Sequence, residues 1–183
     1  MPPGVQALEA EPLELVYERV ELMAQPYNLD REDGYIKAGI DYLTEMAAGK
    51  TRDEVSQNSA AQISPRTVSR TRRKMQEALG LSQLPTAALV YKMLLWGDLP
   101  YTLRPQEACT LTDVRQTQCY LTALGFSDRE LGSLTGYAER AHRKRRTLAT
   151  NALGVRATSS AVRQAFVFGI FKPLKGPNAE LST

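Results

Sequence analysis

Residues 63–81 read ISPRTVSRTRRKMQEALGL and hold Arg66, Arg70, Arg72, Arg73 and Lys74 against a single acid, Glu77. Val68, Met75 and Leu79 fall at spacings of seven and four. That predicts a helix with one apolar stripe, from whose opposite side Arg66, Arg70, Arg73 and Lys74 project. Ser64 before Pro65 is a start signal, because a serine side chain caps free amides and a proline at the first helical position gives up no hydrogen bond. Gly80 is the stop. The helix is expected over 65–79, with one face to pack and one free to bind.

The flanking sequence repeats the same kind of punctuation. In GKTRDEVS, residues 49–56, Thr51 is followed three residues later by Glu54, a capping box that opens a short helix after the glycine. Upstream, Ile36, Ile40, Leu43 and Met46 or Ala47 mark an amphipathic helix ending at Gly49. Downstream, Thr86 opens TAALVYKMLLW, which stops at Gly97. The order is helix, short helix, turn, basic helix, supporting helix, the shape of a helix-turn-helix unit with a fourth helix.

Gly49, Thr51, Glu54 and Val55, then Ile63, Ser64, Pro65, Thr67 and Val68, then Leu79, Gly80, Leu81 and Thr86 make a pattern that resembles the LuxR/GerE-type DNA-binding domain over residues 34–99. QNSAAQ, between Ser56 and Ile63, departs from it, being about two residues longer than the family's usual turn. The resemblance implies a bacterial transcription regulator whose groove-facing positions are Ser69, Arg70 and Arg73. Arg66, Thr67, Arg72 and Lys74 would position the DNA backbone beside the capping Ser64. Arg72 is also close to the packed side and can cover the core with its stem, and Thr67 can bond within its own first turn.

The motif occurs a second time. From Gly125, the chain reads GFSDRELGSLTGYAERAHRKRRTLATNALGV, with Ser127 and Glu130 as a capping box, Leu131 in the role of Val55 and Leu153-Gly154 matching Leu79-Gly80. The offset is 76 before the turn and 74 after it, and it pairs Thr86 with Ser160 and TAALVYKMLLW with SAVRQAFVFGI. The fold expected is all-α: two tandem four-helix units, residues 34–99 and 100–172, after an amphipathic helix in 1–33 and before a flexible tail at 173–183.

The second copy is degenerate where the first is most diagnostic. AERAH stands where SPRTV stood, so Ala138 replaces the capping Ser64 and His142 replaces the core Val68. Its apolar stripe, Ala138, Ala141, Leu148, Ala149 and Ala152, is thin and has Arg145 within it. His142 has no carboxylate neighbour in sequence to make it a base and reads as a helix-face residue. Carrying the family's positions across gives Arg143, Lys144 and Thr147 as groove-facing, with Arg140 and Arg146 on the backbone. The two apolar last helices suggest either an intramolecular pseudo-dimer, with Leu89, Met93 and Trp96 facing Phe166, Val167 and Ile170, or equally that Leu84 to Trp96 simply serves each unit's own core.

Charge agrees with that reading. Residues 63–81 and 137–155 each net +4, so against +3 for the whole chain the other 145 residues carry −5. Two basic patches on an otherwise acidic protein are the footprint of a polyanion binder, although a charge run is as often a solvated face. The expected partner is double-stranded DNA. The alternative is an adaptor that binds RNA polymerase or another regulator through an N-terminal helix, with Leu13, Val16, Tyr17, Val20 and Met23 on one side and Glu11, Glu14, Glu18 and Glu21 elsewhere. That helix could equally cap the domain or join two copies into a homo-oligomer.

Other classes find little support. No nucleophile triad, paired carboxylates, metal ligands or Gly-rich phosphate loop appears, which argues against an enzyme or a cofactor. Cys109 and Cys119, with His142 far downstream, suggest neither a zinc site nor a disulfide framework, and both thiols read as structural. There is no apolar run long enough to span a membrane and no signal peptide, so the chain reads as cytoplasmic. The residues before 34 are too few for the receiver or ligand-sensing domain that the family commonly carries, so no small-molecule input is expected.

Overall fold

The computed structural model describes residues 10–58, 64–82, 84–102 and 111–171. Among them the chain forms helices α1 (Ala10–Ala24), α2 (Gly34–Ala47), α3 (Arg52–Asn58), α4 (Pro65–Ala78), α5 (Thr86–Leu95), α6 (Asp113–Ala123), α7 (Asp128–Thr135), α8 (Glu139–Ala152) and α9 (Thr158–Val167), and no strand. The protein is all-α. None of these helices is long and apolar enough to cross a membrane. The expected tail, Cys109, Ile63 and most of the QNSAAQ turn lie outside the described residues.

The predicted start signals form in detail. Ser64 Oγ accepts from the Thr67 amide at 3.2 Å at the head of α4. Thr51 and Glu54 exchange bonds of 2.6 and 3.2 Å before α3, as Ser127 and Glu130 do at 2.7 and 3.2 Å before α7. Each satisfies amides that a helix start otherwise leaves bare. The register of the two copies follows: α3 and α7 begin 76 residues apart, α4 and α8 74 apart.

Other expectations need correction. The last helix begins at Thr158, two residues before the expected Ser160, so α5 and α9 start 72 residues apart. The loop between α8 and α9 is shorter than that between α4 and α5, where Pro85 fixes the residue before the helix. The inward face of α8 is also not the alanine stripe: Leu148 is 39% exposed and Ala138 and Ala152 are exposed, while His142, Ala149, Thr150 and Leu153 are buried. The stripe sought apolar residues only, whereas His142 is buried because its ring nitrogens are bonded. Finally, Trp96 faces the N-terminal helix, donating from Nε1 to Met23 O at 3.1 Å.

Helix α1 caps the molecule on one side. Val16 and Met23 are fully buried and Leu13 and Val20 pack partly, but Tyr17, expected on the same face, is 48% exposed beside Leu15 at 44%. The buried Lys92 holds α1 in place by donating from Nζ to Leu22 O at 2.9 Å and to Leu79 O at 2.8 Å. Both acceptors lie at helix C-terminal ends, where the macrodipole favours a cation. Burial nonetheless pulls the Lys92 ammonium down to about 8. At the far side of α1, Arg19 pairs with Glu130 at 3.3 Å and stacks over Phe126.

Helix α5 is buried from Ala87 to Leu95 and is apolar almost all round, as a central helix must be. It packs on α9, and each last helix also packs on the first helix of the other copy, α9 on α2 and α5 on α6. Tyr91 meets Phe166 and Phe171 edge-on across this join. The glycines after α2 and α6, both at positive φ, seat these crossings: a Cβ on Gly49 would lie 3.7 Å from Ser160 Cβ, and one on Gly125 3.2 Å from Ala88 Cβ. Gly49 and Gly125 are 76 apart, and Ala88 and Ser160 are 72 apart, matching their helices. One hydrophobic cluster runs through residues of both copies, with the buried thiol of Cys119 inside it.

Helix α2 approaches α4 most closely at Gly39, where a Cβ would sit 2.2 Å from Met75 Cγ and 2.6 Å from its sulfur. Met75 is fully buried and has little room to move. Gly39→Ala is expected to lower stability by about 1–3 kcal/mol through overpacking, read as a lower urea midpoint at unchanged slope; an unchanged midpoint would show that Met75 repacks freely.

Candidate nucleic-acid interface

Helical geometry puts Arg66, Arg70, Arg73 and Glu77 opposite the buried Val68, Met75 and Leu79 of α4. In α8 the positions opposite His142, Ala149 and Leu153 are Arg140, Lys144, Thr147 and Asn151. All eight are exposed. The two outward faces are equivalent at the offset of 74, and Asn151, which the sequence reading did not single out, completes the second.

The α4 face is supported by the start of α2. Asp33 caps α2 by accepting from the Tyr35 and Ile36 amides at 2.7 and 3.2 Å, and its second oxygen takes the Lys74 ammonium at 2.5 Å. The Lys74 bond and these amides hold the Asp33 carboxyl below its usual range, and Asp33 in turn raises Lys74. Arg70 donates to the Tyr35 hydroxyl at 3.1 Å and lies over the same ring with Lys74. Arg73 pairs one turn on with Glu77 at 3.0 Å. Ser64 and Thr67 are tied to each other and to the helix start. Ser69 and Arg66 are exposed, and Arg72 is exposed toward the second copy.

The α8 face is built differently. Asp128, at the head of α7 and only 8% exposed, takes Arg146 at 2.9 Å and has Arg143 at 3.9 Å. Arg143 also pairs with Glu139 at 2.7 Å. Thr147 bonds back to the Arg143 carbonyl at 3.0 Å. Arg145 stacks on the Tyr137 ring at 4.4 Å. Arg143 and Arg146 are therefore drawn toward α7, and Arg140 and Lys144 are left as the outward cations. Sequence gave no sign of this, because Asp128 lies 15 and 18 residues from its partners.

His142 fills the core position of Val68. It is 2% exposed, with Nε2 2.8 Å from Thr135 Oγ1 on α7 and Nδ1 3.0 Å from Gln118 Oε1 on α6. One ring thus joins three helices. Helices α7 and α8 are connected by residues 136–138, with Gly136 at φ 72. Such a conformation costs glycine nothing and most other residues a good deal.

Among the described residues no cluster of His, Cys, Asp and Glu is placed to hold a metal ion. Comparison with protein-family models, with curated proteins and with solved structures gives no match.

Burial, with Arg145 adding to it, lowers the His142 pKa. A histidine whose folded value is depressed favours folding while neutral, so its contribution is present above the unfolded value of about 6.5 and is lost as pH falls below it. Thermal unfolding of the intact chain should show a drop in stability on acidification from about pH 7 to 5 that His142→Gln lacks. An equal drop in both proteins would mean that the ring does not couple to folding.

Proposed function

We propose that the chain is a sequence-specific DNA-binding transcription regulator that contacts double-stranded DNA through two helix-turn-helix units of LuxR/GerE type. The observation that carries this is the pair of equivalent outward faces, Arg66, Arg70 and Arg73 on α4 and Arg140, Lys144 and Thr147 on α8, each backed by a buried face. Guanidinium groups suit both phosphate and the guanine edge, and a helix of this width fits the major groove. Arg70, held by Tyr35, reads as the best positioned base contact, and Lys74 and Arg66 as backbone contacts. The crossing of α5 and α9, with reciprocal packing on α2 and α6, supports an intramolecular pseudo-dimer. The shorter turn at 136–138 gives α7 and α8 the usual helix-turn-helix spacing.

A second reading is an adaptor for RNA polymerase or another regulator. The exposed Leu15 and Tyr17 of α1, flanked by the exposed Glu14 and Glu18, favour it.

Selection of duplexes from random-sequence DNA with the intact chain separates these. A regulator is expected to enrich a discrete site and to lose affinity with salt at a log-log slope of about −5 for six phosphate contacts. Arg70→Ala together with Arg73→Ala, both exposed and so tolerated by the fold, should abolish site preference. A flat salt response and no enriched site would exclude DNA reading and leave the adaptor.

A further inference from the structure

Helix α1 is seated on its inner face by Val16 and Met23 and at its C-terminal end by the bonds from Lys92 and Trp96. Toward α7 the packing is looser, and a groove of about 490 Å³ runs between the two helices. Arg19 ties its two sides, pairing with Glu130 at 3.3 Å with its guanidinium carbon 5.3 Å from the Phe126 ring centre. Leu15 and Leu22, seven residues apart and so on one line of α1, border the groove on one side, and Phe126 and Leu134 border it on the other. Phe126 and Leu134 are buried, Leu22 is half-buried, and Leu15 is 44% exposed. An exposed apolar line continuous with buried apolar side chains and rimmed by charge is the form that partner surfaces take.

The rim is acidic. Glu18, Glu21 and Glu130 line the groove, against one guanidinium, Arg19, so the lining carries a net charge of −2. Glu14 extends the row on α1 by one turn and is exposed, as Glu18 and Glu21 are. Arg19 is committed to Glu130, whereas Glu14, Glu18 and Glu21 have no ion-pair partner among the described residues. A surface of that sign repels a polyanion. It also disfavours a second copy, because two such grooves meeting about a two-fold axis bring one acidic rim against the other. A cationic partner is the one whose charge it complements.

We propose that the groove between α1 and α7 receives a basic amphipathic helix of a partner protein, its apolar side chains set on Leu15, Leu22, Phe126 and Leu134 and its lysines or arginines beside Glu14, Glu18 and Glu21. A helix suits the length, since Leu15 to Gln25 along α1 is about 15 Å, or three turns. An extended peptide binds by adding to a sheet edge, and the described residues form no strand. The apolar floor supplies affinity and the carboxylates select the sign of the partner. The groove shares no side chain with the outward faces of α4 and α8, so the proposal stands apart from the DNA-binding reading, and it gives the adaptor reading a surface without resting on it.

The test is a titration of the full chain with a synthetic helical peptide of about four turns, leucines on one face and lysines on the other, followed by backbone amide shifts. Saturable shifts are expected at residues 15–25 and 126–134. Leu15→Ser and Glu18→Lys, both at exposed positions, are each expected to weaken binding about tenfold. Glu32→Lys, an equal change of charge at an exposed position outside the groove, should leave it unchanged, and the same peptide with glutamate in place of lysine should not bind. Binding that survives Leu15→Ser, that Glu32→Lys weakens as much as Glu18→Lys, or that the glutamate peptide matches would overturn the proposal. Self-association of the chain that Leu15→Ser abolishes would overturn it too, by assigning the groove to a second copy.

Discussion

The arrangement of this protein depends on the crossing of α5 and α9, each of which lies over the first helix of the other copy. A helix with Ala87 to Leu95 all buried cannot be covered by the three helices of its own unit alone. It needs the other copy to bury its far side, and the exchange is made close by the residues that meet there. Gly49 and Gly125 leave room for Ser160 and Ala88, small residues at matching positions. Interiors are packed to crystal density, so at Gly125, where a Cβ would lie 3.2 Å from Ala88, a larger residue would press the helices apart, while at Gly49 the positive φ rather than space opposes a side chain. Residues 34–99 and 100–172 thus share one core, although their sequences read as successive units.

Local chemistry was legible in the chain. A capping serine or threonine and its glutamate lie three residues apart, so both partners of the bond are visible together, and both expected capping boxes form, as does the Ser64 cap; the Ser160 start, which had no such partner, did not. The all-α class followed from the same signals. What stayed hidden were bonds between residues far apart in sequence. Asp33 meets Lys74 across 41 residues, and Gln118 meets His142 across 24. The alanine stripe of α8 misled for a related reason: periodicity finds the buried face by its apolar residues, and this face is held partly by a histidine and a threonine.

The same distant pairs decide what the basic residues can do. Ten cations in two windows give an undivided impression of positive charge, yet they fall into three groups. Arg73, Lys74, Arg143 and Arg146 are tied to carboxylates of their own or a neighbouring helix; Arg70 and Arg145 rest on tyrosines; Arg66, Arg72, Arg140 and Lys144 are exposed without such a tie among the described residues. A tied guanidinium must give up one partner to gain another, so it adds less to binding than an outward one. Tyrosine support is different, since a ring and a hydroxyl orient Arg70 without cancelling its charge.

The segment from α6 to α9 seats its basic helix differently from the segment from α2 to α5. Where the first segment has Ser64 and Val68, it has Ala138 and His142. It has a glycine at φ 72 in the turn, an ion pair from Asp128 to Arg146 and a histidine bonded to two other helices. Polar links of this kind replace hydrophobic burial only when every partner is in place, because a buried polar group left unbonded costs more than a bonded one gains. Val68 meets its neighbours by apolar packing, whereas the hydrogen bonds of His142 also set the direction of its ring. Of the two basic helices, α4 carries the outward arginines and α8 the polar ties to its neighbours, so the two faces share a register but not a means of support.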